Sequence, residues 1–129
     1  MKTCLAALAV IGLLAAIAPL GAHHSRAAEF DEEMPVSFTG KVSRVDWRNP
    51  HIWVLVDETA PDGQVTRWEA EVGGNPISMA RNGWSKESLV PGDEVVVRGI
   101  RAYCCDNVMS IGTIQRPGGE ELFAGRAPR

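Results

Sequence analysis

The sequence has little basic charge, few cysteines and no recognisable set of catalytic residues, and each shortage excludes a class of protein. Its 129 residues include 13 Lys or Arg against 16 Asp or Glu, and the arginines are scattered singly among acidic residues. A surface that binds nucleic acid is normally a basic patch, so the sequence argues against a nucleic-acid partner. It also lacks a Gly-rich phosphate loop ahead of a helix and a serine in a nucleophile elbow. We therefore expect a binding protein and not an enzyme.

The longest apolar run is too short for a membrane span. It covers residues 5–20, which is 16 residues, where a bilayer requires roughly 20. Residues 1–3 form a short positive region ahead of it, and Gly21 and Ala22 are small residues suited to signal peptidase. This pattern predicts a cleaved secretory signal at residues 1–22. We expect a periplasmic or secreted protein with no membrane anchor after cleavage.

Cysteine is scarce, and the two cysteines that remain after loss of the signal are adjacent, Cys104 and Cys105. Consecutive Cα atoms lie about 3.8 Å apart, whereas an ordinary disulfide spans roughly 4.4 to 6.8 Å. Three outcomes stay open in an oxidising compartment. The preferred one is a strained vicinal disulfide or a merely structural hairpin tip. The others are a bridge to another chain and a pair of soft ligands for a metal such as Cu(I), with Met109 as a further ligand.

Short apolar runs separated by Gly and Pro turns predict an all-β fold. The order of three strands, a short helix and two strands is that of the OB-fold, a five-stranded Greek-key barrel with the helix between strands 3 and 4. A β-sandwich is the alternative that the spacing permits. We expect the barrel at residues 36–123, after an N-terminal arm at residues 23–35 and before a polar tail at residues 124–129. The predicted strands are residues 36–45, 51–57, 65–72, 94–101 and 108–114, and a short pairing at Leu122 and Phe123 follows.

Three local signals refine this fold. Gly40, within the apolar face of the first strand, predicts a bulge or a sharp bend. Asn75 is a good N-cap for the helix, Pro76 suits its first position, and Gly83 ends it. On the third strand, alternation places Glu71, together with Glu69, on the face that we expect to be solvated.

The second strand and the turn before it carry the most informative pattern. Ile52, Val54 and Val56 fall on one side of the strand and are all β-branched, which predicts that they are core residues. His51 and Trp53 fall on the other side, next to the Asn-Pro turn that precedes the strand. This places an imidazole beside an indole at one corner of the barrel.

The other two histidines, His23 and His24, lie at the predicted mature N-terminus. Cleavage after Ala22 makes His23 the first residue, and its α-amine, with a pKa near 7.7 to 8.0, and its ring can then bind one metal ion. A cut near Ala27 would remove both histidines, and a frayed, solvated terminus is the competing interpretation. Imidazole suits copper, zinc and nickel. We predict a transition-metal site, copper first, at His23, His24 and His51, with no organic cofactor.

Acidic residues of the arm are candidates to orient these imidazoles. Glu29, Asp31 or Glu33 could accept a ring N–H, as carboxylates do around metal-binding histidines. The alternative function is a metal-free module that binds a protein partner or a small ligand through the face around Trp53.

Several motifs together resemble a known family. They are His23-His24-Ser25, Ala28-Glu29-Phe30-Asp31, Phe38-Thr39-Gly40-Lys41-Val42, Trp47-Arg48-Asn49-Pro50-His51-Ile52-Trp53, Gly83-Trp84 and Pro91-Gly92-Asp93. The chain is similar, over nearly all of its predicted mature length, to small exported bacterial proteins described as a domain of unknown function. The resemblance implies a small periplasmic β-barrel in which the paired histidines and the Asn-Pro-His corner are hallmark positions. It implies no activity, and the adjacent cysteines are not part of the pattern.

Overall fold

A computed structural model of the protein describes residues 25–124. The predicted signal at residues 1–22, His23, His24 and the tail beyond Ala124 lie outside this range. Within it, no helix is long and apolar enough to span a bilayer. The described residues form two short helices and six strands: α1 Arg26–Glu29, β1 Phe30–Asp46, β2 Ile52–Thr59, β3 Val65–Val72, α2 Pro76–Arg81, β4 Glu94–Ala102, β5 Val108–Gln115 and β6 Glu121–Ala124.

The strands form a single sheet that closes on itself. The order is β3-β2-β1-β4-β5, with β6 added beside β5, and a pairing between β3 and β5 completes the ring. That closing pair is parallel, and the other pairs are antiparallel. With α2 between β3 and β4, this arrangement confirms the predicted OB-like barrel and rules out the sandwich.

The first strand is longer than expected and bends to reach both of its neighbours. It starts at Phe30 and not at Val36, and it pairs with β4 along its first part and with β2 along its second. A register shift between Val42 and Arg44 marks the bulge, so Gly40 does not form it. Gly40 is instead a point of close approach, because an added Cβ would lie 2.7 Å from a methyl group of Val56.

The helix begins and ends where the sequence predicted. The Asn75 side chain accepts a hydrogen bond of 2.8 Å from the Ser78 backbone N–H, and Pro76 is the first helical residue. Gly83 has a φ of +85°, the left-handed conformation that ends many helices. The helix places Met79 in the core, and Trp84, which follows it, is also buried.

The main core fills the barrel. Ile52, Val54 and Val56 are fully buried, as alternation predicted. Phe38 stacks on Trp68 with ring centroids 5.1 Å apart. Most of the largest fully buried side chains come from strands, in keeping with a barrel filled by its inward-facing residues: Ile52, Val42, Val54, Val56, Val72, Val95, Val97, Met109, Ile111 and Ile114.

A second, smaller apolar cluster lies on the outside of the barrel. Phe30, Ile100 and Ala102 are buried together, and Val108 packs against them. Val95 and Val97 of β4 belong to the main core, so alternation directs Ile100 and Ala102 outward. The arm, which we define as residues 25–35, covers this outer face, and Phe30 pairs with Ala102 in the sheet.

Candidate functional site

His51 lies at the corner that leads into β2, directly after a cis peptide bond between Asn49 and Pro50. Its Nδ1 contacts the Oε1 atom of Glu71, near the end of β3. The antiparallel register pairs Trp53 with Glu71 and so brings this carboxylate beside the imidazole. The His51 side chain is half exposed, whereas that of Glu71 is only 9% exposed. Part of the imidazole is therefore open to solvent.

The burial of Glu71 corrects the prediction that this face of β3 is solvated. Alternation places the side chain correctly on the outside of the barrel, but the outside is covered at this point. Ser110, the partner of Glu71 across the parallel β3–β5 pair, is also buried. Glu69, one step along the same face, is exposed as predicted. This outer face is therefore covered only at the end of β3, where the arm lies beside Glu71.

The charges around Glu71 show which groups lie close to it. Burial raises the pKa of Glu71 above its ordinary value, and this outweighs His51, whose charge and hydrogen bond lower it. Glu29 also raises the pKa and Arg26 lowers it, so both charged residues of α1 act on this carboxylate. The beginning of the described chain is therefore near the His51–Glu71 pair.

A cleft of about 360 Å³ lies between the arm and the outer face of the barrel. Two carboxylates, Glu29 and Glu71, and three aromatic rings, those of Phe30, Trp53 and Tyr103, contribute to its lining. The remaining lining residues are aliphatic or sulfur-containing: Ala28, Ala102, Cys104 and Val108. Its volume is in the range of small-molecule sites.

One of the two adjacent cysteines lines this cleft. Cys104 and Cys105 form a vicinal disulfide in the connection between β4 and β5, which is the first of the outcomes that the sequence left open. Cys104 belongs to the wall of the cleft and Cys105 does not. Joined in this way, the two sulfur atoms are not thiolate ligands.

Of the three histidines predicted to bind metal, only His51 is among the described residues. Residues 25–124 contain no group of three or more His, Cys, Asp or Glu side chains placed to hold a metal ion. His51 and Glu71 are two such side chains in contact.

Sequence reasoning missed the carboxylate partner of the imidazole. It considered Glu29, Asp31 and Glu33, and of these Asp31 instead accepts a hydrogen bond of 2.9 Å from the Glu33 backbone N–H. The hairpin turn between β2 and β3 does contain the information that identifies Glu71 as this partner. Once that turn fixes the register, Glu71 must stand opposite Trp53, next to His51.

The chain belongs to a family of unknown function, DUF6152, whose profile matches residues 10–107. This confirms the resemblance to a domain of unknown function. The matched range includes the paired histidines, the Asn-Pro-His corner and both cysteines. No curated protein and no solved structure matches the chain.

Proposed function

We propose that this protein is an exported binding protein for a transition metal, copper in the first place, which it holds through His23, His24 and His51. The observation that carries the proposal is the contact between His51 Nδ1 and the Glu71 carboxylate. A histidine that ligates a metal through one ring nitrogen commonly donates the N–H of the other to a carboxylate. If neutral His51 donates its Nδ1–H to Glu71 in this way, the lone pair of Nε2 is left free for a metal ion.

The path of the arm supports a role for the two histidines that precede it. Arg26 begins α1 and is close enough to Glu71 to affect its pKa. His24 is two residues before Arg26, and a residue spans at most about 3.6 Å of extended chain. Chain connectivity therefore limits how far His24 can lie from this corner of the barrel.

Copper suits this set of donors better than the other candidates. Two or three imidazoles and a terminal amine are nitrogen ligands, and among divalent metals such sites bind Cu²⁺ more tightly than Ni²⁺ or Zn²⁺. Export is supported by the signal pattern at residues 1–22 and by the vicinal disulfide of Cys104 and Cys105, since disulfides persist in oxidising compartments.

Calorimetric titration with Cu²⁺ tests the metal site. The protein should first be exported and its N-terminal residue identified by mass spectrometry, because only cleavage after Ala22 leaves His23 with a free amine. We expect His51→Ala to weaken binding at least 10-fold, and Glu71→Gln to weaken it about 10- to 100-fold through loss of the supporting hydrogen bond. Glu69→Gln, on the same strand but exposed, is the matched control and should bind as the wild type does. Equal affinity in the wild type and His51→Ala would remove His51 from the site.

The cleft beside Trp53 favours a second candidate function, a metal-free module that binds a partner or small ligand on this face. In that case, substitution of His23 and His24 should leave binding intact, whereas Trp53→Ala should abolish it. The two functions therefore predict opposite results from the same pair of variants.

A further inference from the structure

The cleft between the arm and the barrel has walls of two distinct kinds. Tyr103 stands at its rim and is 62% exposed, and Trp53 is partly buried. Glu71, by contrast, is buried. A ligand in the cleft would therefore meet aromatic surface near the opening and a carboxylate further in.

The charge of the cleft is of one sign. Glu29 and Glu71 both line it, and none of the described residues that line it is Lys, Arg or His. Arg26 and His51 act on Glu71 from outside this lining. Two carboxylates in a small, mostly apolar space disfavour an anion and attract a cation.

The apolar part of the lining selects among cations. A small hydrated ion would lose water to apolar walls without replacing its hydrogen bonds, which is costly. An ammonium group on an apolar or aromatic body gains from both parts of the cleft, because the body packs on apolar surface and the charge lies near aromatic rings and carboxylates.

We propose that this cleft binds a small organic cation, an amine with an apolar or aromatic body, with its ammonium group at Glu71 and Glu29 and its body between Trp53 and Tyr103. The site names a ligand class for the Trp53 face. It needs no metal ion and does not depend on His23 or His24.

Three aromatic probes of similar size test the charge requirement. The protein is used after removal of its signal, and a chelator is present. Benzylammonium, benzyl alcohol and benzoate share a ring and differ mainly in charge, and their binding can be followed by NMR titration. We expect benzylammonium to bind at least 10-fold more tightly than benzyl alcohol, and benzoate not to bind. Chelation separates this result from the metal proposal, since amine binding should persist when no metal is bound.

Variants then locate the site. Glu71→Gln and Trp53→Leu should each weaken benzylammonium binding about 10-fold, and Glu69→Gln, outside the cleft, should not change it. Glu29→Gln gives a second test of charge that leaves the contact between His51 and Glu71 intact, in case Glu71→Gln does not fold. Equal binding of benzylammonium and benzyl alcohol would overturn the proposal. So would unchanged benzylammonium affinity in both Trp53→Leu and Glu29→Gln.

Discussion

Removal of the Phe30 ring should release the arm from the barrel and leave the barrel folded. Phe30 is only 3% exposed, and Phe-to-Ala substitutions in cores cost about 3 to 5 kcal/mol. Its cluster is small. Among residues 25–124, its buried partners are Ile100 and Ala102, with Val108 packed against them, so we expect the lower end, about 3 kcal/mol. That cost lowers the docking equilibrium of the arm about 100-fold.

Hydrogen exchange measures this release directly. The Tyr103 backbone N–H donates a 3.0 Å hydrogen bond to the Glu29 carbonyl, and the first part of β1 pairs with the end of β4. In Phe30→Ala, we expect these amides to exchange about 100-fold faster, because opening now requires about 3 kcal/mol less. Amides of β2 and β3 should keep their protection from exchange, because both strands, for example at Ile52 and Val72, pack in the separate main core.

The same substitution should shift the titration of Glu71. Burial is the main cause of its raised pKa, so release of the arm should move that pKa down toward the ordinary value for a glutamate. A ¹³C NMR titration of the side-chain carboxyl group measures the change. Met34→Ala, in the same arm but at an exposed position, is the control and should change neither observable. If the arm is mostly undocked in Phe30→Ala and the Glu71 pKa is still unaltered, another part of the chain buries this carboxylate. Faster exchange throughout β2 and β3 would show that the arm is not a separate unit.

Two further predictions concern the stability of the barrel. Gly99→Ala should lower the free energy of unfolding by about 1 to 3 kcal/mol in urea titrations, because an added Cβ would overlap the backbone carbonyl of Ser110. Gly73→Ala is the control. An added Cβ there meets open space, so the free energy of unfolding should fall by no more than a few tenths of a kcal/mol. Hydrogen bonds from Arg67 lower the pKa of Asp57 below its ordinary value of 3.8. The Asp57–Arg67 pair therefore stabilises the fold above pH 3.8, and this stabilisation is lost as the pH falls through the lowered pKa. The stability difference between the wild type and Arg67→Gln should therefore shrink in acid, and a difference that grew below pH 3.8 would contradict this assignment.

The barrel could be predicted because its determinants are local. The β-branched residues Ile52, Val54 and Val56 identify an inward face without any knowledge of the rest of the chain. The Asp-Gly turn after β2 then fixes the register of β3, and Asn75 sets the start of the helix that separates the two halves of the fold. Each of these signals lies within a few residues of the feature it determines.

The arm could not be predicted in the same way, because its position depends on a distant contact. Phe30 pairs with Ala102, which lies at the far end of the chain's fourth strand. Alternation correctly assigns Ile100 and Ala102 to the outside of β4 but cannot say whether another segment covers that side. For the same reason, alternation predicted the correct face of β3 for Glu71 but did not predict that this side chain is buried.

One buried carboxylate, that of Glu71, lies beside the arm, contacts His51 and lines the cleft. An ionised carboxylate is costly to bury, and the cost falls when a cation lies beside it. A metal ion on His51 or an ammonium group in the cleft would supply such a cation, and either one would favour the docked arm that buries Glu71. Each ligand also places positive charge near the same carboxylate, so the two should weaken each other when both are bound, and the coupling must be equal in both directions. The arm is then the element through which either ligand would act on the fold.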